Sequence, residues 1–459
     1  MRRLFFLFTM LAILLAGCGP LVSDSRALTH VPGTELPQPV ARTPLPTASP
    51  TPLISTRPEE LRGVEIRVWH GLDGTSASLL EQMATEFSLS NQWGIKVSLQ
   101  PEGNLTQLAG AVNDSITAGA APDVILALPE QILGWKDHVL DLTPYLVQAD
   151  YGMDLAEFPT AFAAQSAVGS LRYGVPAARA ARFLFYNLSF AHDVGLDAPP
   201  RSLEDFRSQS CAGNAAWKQD ADLTNDGYGG LALEVYPDWQ TPFTWLVQGG
   251  GNIFPAGKFQ FNTAENSKAL DFLVKLRQDG CAWLPDSLTT FEQLPARRSL
   301  FVTGDLGDIA DEINAFRASG SKDEWTVLPF PGPTPAIVAY GPDYAILKST
   351  GERQLAAWLF IRWMLDGTNQ ARWSQGSGFL PVTNSAIALL KNDKTLVPQW
   401  RTAIDLIPDT IPYPQSAQWS LADKILADGY MSLILNYPNN TPTDVLEMMD
   451  TTIQDFPAP

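Results

Sequence analysis

The chain predicts an α/β architecture in two lobes, each built on a largely parallel sheet covered on both faces. Three observations carry this. Short runs of alternating or solid apolar residues are interleaved with segments of helical apolar spacing, an order that demands parallel strands with helices on both sides. The portion bearing these patterns is about 400 residues long, too large for one core. Hydrophobic residues make up 45% of the 459, with 13 Trp, enough apolar mass to fill two cores.

The elements follow in order. Val64, Ile66 and Val68 alternate with Glu65 and Arg67, a strand pattern. After a turn at Asp73-Gly74, Leu79, Leu80, Met83 and Phe87 fall at helical spacing. Ile95, Val97 and Leu99 alternate again. An Ala/Gly-rich stretch from Ile116 to Ala121 follows, then a solid apolar run from Val124 to Leu128. Phe183 to Tyr186 reads as a buried strand. Leu270, Leu273 and Leu276 share a helix face that stops at Gly280. Trp325 to Phe330 and Tyr344 to Leu347 read as strands, and Ala356 to Met364 as a helix ended by Gly367.

Ahead of this body lies a different kind of sequence. Arg2 and Arg3 precede an apolar run, Leu4 to Gly17, that is short for a bilayer span and suits a signal-peptide core. It ends in Leu15-Ala16-Gly17-Cys18, which resembles a bacterial lipobox with Cys18 as the lipidated thiol; the other reading is a plain secretory signal beside a chance cysteine. Two acyl chains there would hold the protein at an outer membrane face without a spanning helix. Residues 19–60 are rich in Pro, Thr and Ser and read as a semi-rigid tether. Cys211 and Cys281 remain. Outside the cytoplasm such a pair is expected to form a disulfide, two buried free thiols being the other reading.

Composition and motif searches exclude several functions. Lys plus Arg is 31 against 49 for Asp plus Glu, a formal charge of −18 that repels phosphate backbones, so no nucleic-acid partner is expected. No G-x-x-x-x-G-K-[ST] loop and no G-x-S-x-G elbow is present. Gly249-Gly250-Gly251 reads as a tight turn. His30, His70, His138 and His192 have no partner at metal-ligand spacing, and neither metal nor cofactor is expected. Asp305, Asp308, Asp311 and Glu312 suggest either paired carboxylates for glycoside hydrolysis or the polar face and first turn of a helix. Asp220 to Gly227 resembles the start of a calcium loop, but the twelfth position from Asp222 is Leu233 and Glu234 comes one residue late; a solvated Asx-rich turn is the plainer reading.

A series of segments, in order, carries a family resemblance. Val64 to Gly74 (VEIRVWHGLDG) looks like a first strand and its loop, and Gly119-Ala120-Ala121-Pro122-Asp123-Val124 fits a G-x-x-P-D-V/I signature. Tyr173 to Pro176, Tyr186-Asn187, Phe243-Thr244-Trp245, Phe261-Asn262-Thr263, Gly304-Asp305, Leu328-Pro329, Tyr344 to Ile346 and Gly378 to Val382 follow. The chain from about Leu61 onward resembles the bacterial extracellular solute-binding proteins that serve ABC importers, in particular their maltose-binding branch. The resemblance implies two doubly wound lobes joined by a hinge, with a solute held in the interlobe cleft and no chemistry performed on it. It also implies a monomer outside the cytoplasm, handing its cargo to membrane permease subunits. The expected division is 61–178 with 300–338 in lobe 1, and 179–299 with 339–459 in lobe 2.

A sugar site needs flat aromatic surfaces and polar side chains that bond hydroxyls. By the resemblance, Asp73 and Glu130 fall on or near sugar-bonding carboxylates. Gln240 falls on a third acidic ligand, with Pro242 replacing a neighbouring tyrosine. Leu306 and Ala127 stand where stacking tryptophans are expected, which separates the chain from maltose itself. Trp239 in a loop, Tyr340, Trp373 and Asp305 complete the expected ligand set, while Trp245 reads as core. Arg179 and Arg182, at the lobe crossover, either reach an anionic group of the solute or form structural ion pairs. Asp123 reads as a cap of the next helix, contact with the solute being the other reading.

Overall fold

The computed structural model describes residues 54–456 apart from 220, 236–237 and 287–290. Cys18, the tether as far as residue 53, and Asp220 lie outside the described residues. Fourteen strands are described. They are β1 (Glu65–His70), β2 (Lys96–Pro101), β3 (Val124–Ala127), β4 (Ala167–Val168), β5 (Leu171–Arg172), β6 (Val175–Pro176) and β7 (Ala180–Asn187), then β8 (Gly229–Ala232), β9 (Ala282–Trp283), β10 (Ser299–Asp305), β11 (Trp325–Leu328), β12 (Ile337–Tyr340), β13 (Asp343–Ile346) and β14 (Thr410–Ile411).

Two main sheets result. The first has the order β2-β1-β3-β13-β6; the second runs β14-β12-β7-β10-β8-β9, with β11 also paired to β7. In the first, β1 is parallel to both β2 and β3, and β13 returns antiparallel to β3 with Ile346 opposite Val124. The period of two decides which core each side chain joins. Val68, Leu126 and Ile346 pack with Leu80, Met83 and Trp358 on one face; Trp69, Ile125 and Ala345 pack with Leu108, Val112 and Trp135 on the other. The second sheet is covered likewise. Leu184, Tyr186 and Leu231 face the helices Gln240–Gln248 and Ala264–Gln278, while Phe183, Phe185 and Val302 face the helix Asp308–Ser319.

The sheets correct the expected lobe division. Residues 300–338 are not part of the first lobe: β10, β11 and β12 all pair with β7 in the second sheet. Conversely β13 and the helix Gly351–Met364, expected in lobe 2, belong to the first sheet and its core. The chain therefore crosses between lobes at 177–179 and 341–342. It crosses again after the helix Asn384–Lys391, since the next helix, Pro398–Asp405, packs on β11. The folded body also starts earlier than residue 61: Ile54 packs against the first lobe and Pro58–Leu61 form a 3-10 turn.

Cys211 and Cys281 form a disulfide in the second lobe, closing 70 residues. Asp123 is not a helix cap; its carboxylate takes both the Nε (2.6 Å) and Nη2 of Arg353 and the Arg67 amide at 2.8 Å, tying β1 and β3 to a distant helix. Among the described residues no helix is long and apolar enough to cross a membrane.

Candidate functional site: the interlobe cleft

In open α/β sheets, ligands sit beyond the carboxyl ends of the parallel strands. Here β1 ends at His70, β3 at Ala127, β8 at Ala232 and β10 at Asp305, and the last residues of β3 and β10 pair with Asp343 and Arg182, next to the two crossings.

The crossings themselves are stapled. The amides of Ala177 and Ala178 both donate to the Pro342 carbonyl, at 3.1 and 3.2 Å. Arg179, fully buried, donates to the carbonyls of Ala178, Gly341 and Pro342 and pairs with Asp343 at 2.5 Å. A guanidinium so engaged, at 0% exposure, has no open face toward a solute, so of the two readings of Arg179 the structure supports the structural ion pair. Gly341 adopts φ +142°, and a Cβ there would lie 2.5 Å from the Ala178 oxygen; only glycine lets the two crossing strands approach this closely.

From the first lobe, Asp73 is exposed at the N-cap of the helix Gly74–Ser90, its side chain making no capping bond. His70 is buried, accepts the Leu72 amide on Nδ1 at 3.2 Å, and is held below its ordinary pKa by burial. Glu130 lies in the first turn of the helix Pro129–Gly134 at 4% exposure. Burial, with smaller contributions from Asp423 and Asp343, pushes its carboxyl up to about 7. It accepts a hydrogen bond of 3.4 Å from the hydroxyl of Tyr413, which follows β14 of the second lobe, so this contact spans the two lobes.

From the second lobe, Trp239 leads into the helix Gln240–Gln248, half-buried. Its ring meets Tyr413 at 5.0 Å, Trp419 at 4.9 Å edge-on and Tyr340 at 5.8 Å edge-on, forming an aromatic wall. Gln240 is buried and its Oε1 has no hydrogen-bond partner among the described residues. Tyr340 donates its hydroxyl to Asp305, whose carboxyl is raised by burial against the opposing pull of Arg182. Arg182 itself is engaged by Glu234 at 3.1 Å, with Asp238 at 3.9 Å.

Thus Glu130, Trp239, Tyr340 and Asp305 converge, joined by contacts through Tyr413 and Arg182. Trp373 does not join them. It is fully buried in the core of the first lobe, stacked on Phe379 at 6.3 Å, and offers no face to a solute. Sequence reasoning missed Tyr413, Trp419 and Asp423, which come from the C-terminal segment; the aromatic pair Tyr413 and Trp419, flanking a short polar loop that begins at Pro414, was the available signal. Glu234, one residue late for the calcium loop, is instead held by Arg182 and by the Thr241 hydroxyl at 2.5 Å. Among the described residues no cluster of His, Cys, Asp and Glu is suited to a metal. A depression of about 820 Å³ lined by Phe87, Trp93, Arg362 and Trp363 lies on the first lobe, away from these strand ends.

The family profile described as bacterial extracellular solute-binding protein matches residues 82–398. The chain belongs to this family. A binding protein of Brucella abortus is 22% identical over 230 residues, 49% of this chain and 54% of its own length. The chain spans about half the length of the curated relatives it matches. Among solved structures, the sugar-binding protein MalE of Xanthomonas citri superposes with a TM-score of 0.73 at 18% identity, over 85% of this chain and 97% of its own. UgpB of Mycobacterium tuberculosis, solved in complex with glycerophosphocholine, superposes with a TM-score of 0.65 at 20% identity, over 85% and 98%. Such likenesses establish the two-lobed fold of this solute-binding protein.

Proposed function

We propose that this solute-binding protein is a lipid-anchored receptor outside the cytoplasm that captures a sugar or oligosaccharide by closing its cleft and delivers it to an ABC importer. The observation that carries the reading is the contact of Glu130 in one lobe with Tyr413 in the other, beside the aromatic wall of Trp239. A solute touching both lobes there favours the closed population, which is what a hinge receptor requires. Rings and acceptors in alternation suit a sugar's apolar faces and hydroxyls. Capture is followed by release, without bond cleavage. The Cys211–Cys281 bridge supports an oxidising compartment, and the lipobox at Cys18 supports the anchor. The protein acts as a monomer toward its permease and needs no cofactor.

A screen of carbohydrates by thermal shift tests this, because a ligand that binds only the native state raises the melting temperature with its concentration. A rise is expected with at least one hydroxylated solute, and its loss in Trp239→Ala. No shift from any carbohydrate, with a shift from a solute lacking hydroxyls, removes the sugar. A second reading, a non-sugar polar solute, is favoured by one observation: the helices that carry Glu130 and Asp423 pack together across the lobes, with no basic partner for Glu130 among the described residues.

A further inference from the structure

We propose that the solute carries a positively charged nitrogen, a protonated amine or quaternary ammonium, seated against Trp239 and Tyr413 between Glu130 and Asp423. This rests on the receptor reading above and specifies the chemistry of its guest.

The first ground is the distribution of charge around the wall. Glu130 lies on the first-lobe helix Pro129–Gly134, which packs on the helix Trp419–Asn436 that carries Asp423; Asp423 repels the Glu130 carboxylate and is itself repelled by Asp238, the neighbour of Trp239. The guanidinium groups nearby are already engaged: Arg179 by Asp343, and Arg182 by Glu234 with Asp238 farther off. Lys424, the basic neighbour of Asp423, is exposed on the helix surface. A cation is therefore the complement that the cleft lacks.

The second ground is independent of the charge count. Glu130 is buried, at 4% exposure, yet apart from its own backbone amide its carboxylate takes only the 3.4 Å hydrogen bond from Tyr413 among the described residues. Gln240, equally buried beside Trp239, leaves its Oε1 without a partner, and so does the Oδ1 of Asp423. Buried acceptors without donors are costly unless something else supplies the donor. Two such acceptors beside a weakly bonded carboxylate and aromatic faces call for a guest that brings donors, and the carboxylates favour N–H or cationic C–H over a neutral O–H. Aromatic walls with carboxylates behind them bind ammonium groups through the ring quadrupole, and the attraction strengthens when water is excluded.

The protonation of the cleft supports the geometry. Burial pushes Glu130 up to about 7 and Asp423 up to about 6. A cation between them favours both ionised forms, so its binding at pH 7 expels about half a proton, chiefly from Glu130. A neutral sugar accepting no charge has no reason to do so.

The test uses three matched pairs on the full chain: choline with 3,3-dimethyl-1-butanol, glucosamine with N-acetylglucosamine, and putrescine with 1,4-butanediol. Tryptophan fluorescence and calorimetry in two buffers of different ionisation enthalpy report affinity and proton release. At least one charged member is expected to bind tenfold or more tighter than its neutral partner and to release protons. That preference is expected to fall at least tenfold in Glu130→Gln and in Asp423→Asn, each of which keeps the side-chain volume. The proposal is overturned if no charged member is preferred, or if a preferred one binds both variants as well as the parent. A neutral sugar that binds while no charged partner is preferred keeps the receptor and discards the charge.

Discussion

Glu312 gives the sharpest stability prediction in the molecule. It lies on the helix Asp308–Ser319 at 0% exposure, and neither carboxyl oxygen has a hydrogen-bond partner among the described residues. Burial, with Asp308 one turn earlier adding repulsion, pushes its carboxyl from 4.5 up to about 9. In the native protein at pH 7 the group is therefore protonated, whereas the unfolded chain ionises it freely. The sign follows from proton counts: between pH 4.5 and about 9 the native state holds the extra proton, so this group's contribution to stability falls as pH rises. At pH 7 the interval travelled is about 2.5 pH units, each costing about 1.4 kcal/mol, or about 3.5 kcal/mol in all. Glu312→Gln keeps the shape and the burial and cannot ionise. It should match the parent near pH 4.5, exceed it by about 3.5 kcal/mol at pH 7, and continue to gain toward pH 9. Urea unfolding at pH 4.5, 7 and 8.5 measures this through the midpoint at constant slope. A difference independent of pH, or a variant weaker than the parent at pH 7, would refute the placement of a neutral carboxyl there.

Two further outcomes follow. Replacing Cys211 and Cys281 by Ser opens the 70-residue loop, and the chain-entropy relation puts the loss at roughly 4 kcal/mol; equal urea midpoints for oxidised parent and double variant would show that the bridge adds nothing. Gly341→Ala should lower the melting temperature, because its Cβ meets the Ala178 oxygen at 2.5 Å in a backbone region unfavourable to L side chains, a cost on the order of 1–3 kcal/mol; an unchanged melting temperature would mean the crossing strands separate freely.

The lobe interiors were legible because their signals are local. Alternation at Val64, Ile66 and Val68, and the solid run at Val124 to Leu128, mark strands wherever they end up. Which sheet a strand joins is a non-local matter, and there the pattern fails. Residues of β10 are buried along nearly the whole strand, so nothing in them distinguishes pairing with β7 and β8 from pairing with β1 or β3. The aromatic residues fail for a similar reason. Trp239 and Trp373 have comparable polar neighbours in the chain, and only packing sends one to the cleft and the other into the core. Tyr413 meets Glu130 across 283 residues of chain, a pairing that no spacing announces.

The same arrangement explains how a solute could control closure. The crossings at 177–179 and 341–342 are locked to each other through Pro342, Arg179 and Asp343, so they turn together rather than slide apart. What draws the lobes together must then come from the cleft. There the protein's own polar link, Tyr413 to Glu130, is long at 3.4 Å and adds little, while burying Glu130 without a cation opposes closure. A guest that supplies donors to Glu130 and Asp423 and covers Trp239 removes that opposition in the closed state alone. Differential binding of this kind, and not tightness in itself, shifts a two-state population.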